Sequence, residues 1–117
     1  MTLNKSQIPE SCLASVSGST FVNADCFDVF PLIKDNSIDA IICDLPYGTT
    51  RAKWDSILDL DLLWKQYERI IKPNGAIILF GSQPFTTTLI NSNIKDFKYS
   101  LVWDKKMKVG MMNCKRM

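Results

Sequence analysis

Two apolar runs, SIDAIICD at residues 37–44 and AIILFG at 76–81, bracket a segment with helical periodicity, and this alternation limits the folds open to the chain. Between the runs, Leu60, Leu63, Trp64, Tyr67, Ile70 and Ile71 recur at helical spacing. Asp59 stands where a cap is needed, and KPNG supplies a stop. Ahead of the first run, TFVNAD (20–25) has the composition of a strand. In the following CFDVFPLIK, Cys26, Val29, Phe30 and Ile33 suit one face of a short helix that Asp25 can cap. After the second run, SQPFTTTLINSN predicts a helix with Pro84 in its first turn and Ser82 as a cap, and FKYSLVW (97–103) predicts a fourth strand. Strands and helices in strict alternation predict an α/β fold, with a mostly parallel sheet, crossover helices and three layers. SIDAIICD is apolar enough to be buried on both faces of such a sheet.

A length of 117 residues allows one ordinary domain, and a 46% apolar composition is enough for a core. The start, MTLNKSQIPES, lacks the apolar centre of a signal peptide, and no run reaches membrane-spanning length. A soluble, intracellular protein with no membrane partner is the expectation. Cys12, Cys26, Cys43 and Cys114 form no CxxC pair and the chain has no histidine, so metal sites and Cys/His or Ser/His catalysis are not expected. The thiols read as buried and free. The net charge of +2 is unevenly spread. Residues 1–94 carry seven basic and ten acidic side chains, and residues 95–117 carry seven basic and two acidic. The basic stretch KKMKVGMMNCKRM suits phosphate neutralisation as well as a simple solvated end.

Ligands of open α/β sheets bind beyond the carboxyl ends of the strands. That rule brings Asp25, the loop DLPYG (44–48) and the loop GSQPF (81–85) to one rim. Within DLPYG, Leu45 precedes a proline and is pushed towards an extended backbone, while Pro46 has no N–H, which leaves nearby carbonyls free to accept. The carboxylate of Asp44 and the ring of Tyr47 stand beside them. Two acceptors next to a stacking ring suit a flat molecule with an exocyclic NH₂, for which a flipped nucleobase is the common example. The same residues also suit a purely structural role, with Asp44 as a cap and Tyr47 in the core.

DLPYG resembles the catalytic Asp-Pro-Pro-Tyr motif of the DNA amino-methyltransferases. The flanking NADCFDVFPLIKDNSIDAIICDLPYGTTRAKWD, LWKQYERIIKPNGAIILFGSQPF and YSLVWDK resemble, in order, the N-terminal half of a DNA adenine methyltransferase whose catalytic motif precedes its cofactor motif. The similarity runs from about Thr20 to the end of the chain. It implies a partial Rossmann-like, S-adenosylmethionine-dependent methyltransferase fold and, as partner, double-stranded DNA. It further implies that Asp44 and the carbonyl of Leu45, held by Pro46, accept from the adenine amine, and that Tyr47 stacks on the flipped base. Asp25, Cys26 and Asp44 would border the cofactor, and Ser82 and Gln83, with Phe85 nearby, would border the DNA side of the pocket. Lys105, Lys106 and Lys108 would meet phosphates. Asp25, Ser82 and Phe85 equally suit caps and core, and Trp54, Trp64 and Trp103 suit packing.

Leu45 departs from the family's usual proline, a change that a role for the carbonyl alone would tolerate. The family's glycine-rich cofactor loop has no counterpart among Gly18, Gly48, Gly75, Gly81 and Gly110. The expected organisation is an extension over 1–19, a partial catalytic domain over 20–104 and a basic tail over 105–117 that begins a target-recognition region. Such a chain would be inactive alone and would need a complementary C-terminal polypeptide or self-association. The alternative is a non-catalytic remnant that binds nucleic acid or a partner. A cytoplasmic location, in a bacterium or encoded by a phage, follows from the resemblance.

Overall fold

A computed structural model describes residues 2–106 of the chain. It is a mixed α/β structure with two small sheets. The first is a hairpin of β1 (Leu13–Val16) and β2 (Ser19–Val22), and the second is a parallel pair of β3 (Ile38–Cys43) and β4 (Ile71–Leu79). Three helices accompany them: α1 (Cys26–Val29), continued by a 3₁₀ turn at Phe30–Leu32, then α2 (Leu60–Ile70) and α3 (Phe85–Ser92).

The helices begin where local chemistry dictates. Asp25 Oδ1 accepts from Phe27 N at 2.8 Å, and Asp59 Oδ1 from Leu62 N at 3.1 Å, each satisfying a free N–H of a first turn. Along α2, Leu63, Tyr67 and Ile70 point inward and are buried. They form the core with Phe30, Leu45, Phe85 and Leu89. Tyr67 meets Phe30 and Trp64 edge-on, at centroid distances of 5.8 and 6.0 Å. Trp64 is fixed by its indole N–H, which donates to Ser92 Oγ at 2.8 Å and so ties α2 to the end of α3. The packing role expected of Trp64 is met. That of Trp54 is not, since its side chain is 76% exposed.

KPNG ends the helix as expected, but lies within β4. Ile38 pairs with Ile71 and Ala40 with Ala76, so residues 72–75 bulge out of the ladder. Gly75 is required there, because a Cβ would approach Ile71 Cγ1 to 2.5 Å. The salt bridge of Lys72 to Asp39 spans the bulge.

Three sequence expectations are corrected. TFVNAD does not enter the parallel sheet. Its first residues pair with Leu13–Val16 across a tight turn at Ser17 (φ 49°) and Gly18 (φ 81°), whose two positive angles match the right-handed twist of a hairpin. The boundary between residues 19 and 20 therefore falls inside β2. FKYSLVW forms no strand, although the outer edges of β3 and β4 are both unpaired among the described residues. β3 is covered on one face only. Ile41 and Cys43, with Ile77 and Leu79 of β4, pack against the helices, whereas Ile42 (68% exposed) and Ile78 are exposed and Phe80 meets Trp103. Among the described residues the sheet and helices make two layers, not three. The thiols also differ from expectation: Cys26 is exposed, and Cys12 and Cys43 are half-buried and free. Cys114 and Lys108 lie outside the described residues. No helix among those described is long and apolar enough to cross a membrane.

Candidate functional site

Because β3 and β4 run parallel, their carboxyl ends share a rim, and Phe80 N donates to Cys43 O at 3.1 Å where the two strands end. DLPYG and GSQPF leave that rim side by side. The first turn of α1 packs on the same core, where Phe27 meets Phe30 edge-on and Phe30 meets Tyr67. Partial desolvation of the sulfur, and second the neighbouring Asp25, hold the Cys26 thiol above its ordinary value, although the residue as a whole is exposed.

In the DLPYG loop, the Tyr47 hydroxyl donates to Asp44 Oδ1 at 2.7 Å. The Tyr47 ring stacks on Phe85, with centroids 5.2 Å apart and planes 20° apart. Burial first, and then the bond to Asp44, push the phenol up to about 12, so it stays a donor across the neutral range. The second carboxylate oxygen of Asp44 has no hydrogen-bond donor among the described residues. The Leu45 carbonyl likewise receives no N–H there. The side chain of Leu45, only 5% exposed, belongs to the core. Leu45 thus has two jobs, and replacement by the family's proline would keep the carbonyl but strip side-chain packing from the core.

Asp44, Leu45, Pro46 and Tyr47, together with Thr49, Thr50, Trp54 and Asp55, line a cleft of about 310 Å³. This is near the lower bound for a small-ligand site. A hollow of about 830 Å³ lies at the opposite end of the sheet, around Asn4, Lys34 and Arg69. It offers less chemistry, because the Arg69 guanidinium is already committed to Phe30 O, Ile33 O, Asp35 and Gln66.

Asp55 organises the cleft, and sequence reasoning passed over it. Its carboxylate accepts from Gly48 N at 2.8 Å, Thr49 N at 3.0 Å and Thr50 N at 2.7 Å. Its cover is provided by this loop and not by the core. The arrangement is an anion nest, and Gly48 (φ 68°) permits the backbone turn that builds it. Bonds from the Thr50 hydroxyl and the main chain lower the Asp55 carboxyl to about 2, from an ordinary 3.8. A carboxyl with a depressed value stabilises the fold above its unfolded value and loses that contribution as pH falls through the folded one. Amide exchange at Gly48, Thr49 and Thr50 should therefore stay slow down to about pH 4 and quicken, beyond the intrinsic trend, towards pH 2. In Asp55→Asn the same amides should exchange fast at every pH. Retained protection in that variant would remove Asp55 from this role.

Because β2 lies outside the parallel sheet, Asp25 is not carried to the rim by a strand end. Ser82 does not cap α3 by its side chain. Its carbonyl accepts from Thr86 N, and Gln83 Oε1 takes Thr87 N and Thr87 Oγ1, because Pro84 occupies the capping position. Trp103 rests on Phe80 at 5.9 Å and Lys105 sits 5.6 Å over the Trp103 ring, which brings the first tail lysine beside the end of β4. The Lys106 N–H donates to Asp104. Asp25 Oδ1 is used as a cap.

No family model and no solved structure matches the chain. The local geometry is therefore the basis for its function. The free acceptors of Asp44 and Leu45 and the ring of Tyr47 belong to residues that line one cleft of about 310 Å³.

Proposed function

We propose that the chain is the base-capturing, amine-activating half of an S-adenosylmethionine-dependent DNA adenine N6-methyltransferase. The observation that carries this reading is the Asp44–Tyr47 pair, in which the phenol occupies one carboxylate oxygen and leaves the other open beside the free Leu45 carbonyl. An adenine flipped from its stack would donate its two amine hydrogens to these acceptors. Held so, the amine nitrogen loses conjugation with the ring and its lone pair becomes nucleophilic. Asp44 then balances the positive charge that develops on nitrogen. S-adenosylmethionine, when bound, supplies the electrophilic methyl carbon. Asp25 and Cys26 would border its adenosine, and further strands would supply the rest of its site.

On this reading β3 and β4 are neighbours in a larger Rossmann-like parallel sheet, completed by further chain, a complementary polypeptide or a second copy. The exposed face at Ile42 and Ile78 supports it, since parallel sheets are normally covered on both sides. The same face also favours the second reading, a non-catalytic module that binds a partner. Lys105, Lys106 and Lys108 would meet the phosphates of double-stranded DNA, with Ser82 and Gln83 nearer the base.

The chain should transfer no labelled methyl group to DNA by itself. Co-expressed with a polypeptide that carries the glycine-rich cofactor strands, in cells lacking adenine methylation, it should yield N6-methyladenine in hydrolysed DNA. Modification of cytosine alone would change the substrate, and transfer by the isolated chain would show that the described half suffices. No mark with any complementary half would leave the partner-binding module as the surviving reading.

A further inference from the structure

We propose that Trp54 is the second aromatic wall of the cleft and stacks on the open face of a purine held by Asp44; this rests on the adenine reading above. The indole is 76% exposed, and it lines the same cleft as Asp44 and Tyr47. Trp64 donates to Ser92, and Trp103 rests on Phe80, whereas Trp54 has neither an aromatic nor a hydrogen-bonding partner among the described residues. Its backbone is nevertheless anchored. The adjacent Asp55 is tied to Gly48, Thr49 and Thr50, so the ring is carried on a braced turn beside the cleft.

A second wall has a physical purpose. Phe85 already covers one face of Tyr47, which leaves that ring a single face for a ligand. A base stacked on Tyr47 alone would keep its other face in water. Trp54 can cover that face, and its free indole N–H adds a donor at the mouth of the cleft. Stacking tolerates any base, so the amine acceptors of Asp44 and Leu45 select for an amino group while Trp54 raises affinity for flat rings in general.

Indole N–H resonances of the ¹⁵N-labelled chain test this, with Trp54→Phe assigning the Trp54 signal. Adenosine 5′-monophosphate is added, and ribose 5-phosphate serves as the control lacking a base. The Trp54 signal should move saturably with the nucleotide and stay still with the sugar phosphate, while Trp64 stays still with both. Trp54→Ala should weaken nucleotide binding by about 5- to 100-fold, and Trp54→Phe by less. The side chain lies outside the core, so both variants keep the fold. If the Gly48 and Tyr47 signals move while Trp54 does not, or if Trp54→Ala binds as tightly as the parent, the second wall is refuted and the adenine site stands. If the nucleotide moves none of these signals, both fall.

Discussion

In an assembled enzyme, Asp44→Ala should lower methyl transfer by about 10²- to 10³-fold, the usual consequence of removing one preorganised group that meets developing charge. DNA affinity should stay within about twofold of the parent, because the carboxylate faces the amine and not the phosphates. Neutralising Lys105, Lys106 and Lys108 should do the reverse. It should weaken binding to every sequence and flatten the dependence of log affinity on log salt by about 0.9 for each phosphate that is no longer neutralised. Tyr47→Phe separates the phenol from the ring: the stack on Phe85 is kept, and the bond to Asp44 Oδ1 is removed. Single-turnover transfer and filter binding, on the same preparations, measure the two quantities. If Asp44→Ala and the lysine variant lose activity through the same loss of DNA affinity, the DLPYG loop is not where the chemistry occurs.

Phe85→Ala should cost about 3–5 kcal/mol in folding free energy, the range for truncating a buried aromatic ring. Phe85 is only 1% exposed and, with Leu63, is one of the two side chains most completely enclosed. Against a total stability on the order of 5–15 kcal/mol, the loss approaches the whole for a core this small. Phe85→Leu, nearer in volume, should cost less than about 1.5 kcal/mol. Urea unfolding followed by circular dichroism gives both values. Phe85 also supports the site, since its ring is the floor on which Tyr47 lies. Losses from Phe85→Ala and Tyr47→Ala should therefore sum to more than the double variant loses, with a coupling of about 0.5–3 kcal/mol expected for stacked neighbours. Additive losses would mean that the stack contributes nothing to the loop's position.

Features that depend on residues within one or two turns were legible in the sequence. Asp59 and the Leu63, Tyr67, Ile70 stripe define α2, and Asp25 caps α1, because helix hydrogen bonds and caps close over three or four residues. SIDAIICD and AIILFG pair in parallel, so DLPYG leaves the carboxyl end of β3 as expected. What depends on distant partners was decided by the tertiary structure. TFVNAD has strand composition, yet only the turn at Ser17 and Gly18 assigns it to a hairpin with Leu13–Val16, and FKYSLVW has the same composition but pairs with neither open edge of the β3–β4 sheet. Leu45 reads as a backbone acceptor until its side chain is seen in the core. Asp55 is an ordinary loop acid in the sequence, but becomes the brace of the cleft by bonding backbone five to seven residues back. Trp54 has the composition of a core residue and lies outside the core. Composition states what a side chain prefers, and the packing of the rest of the chain determines which side chains obtain it.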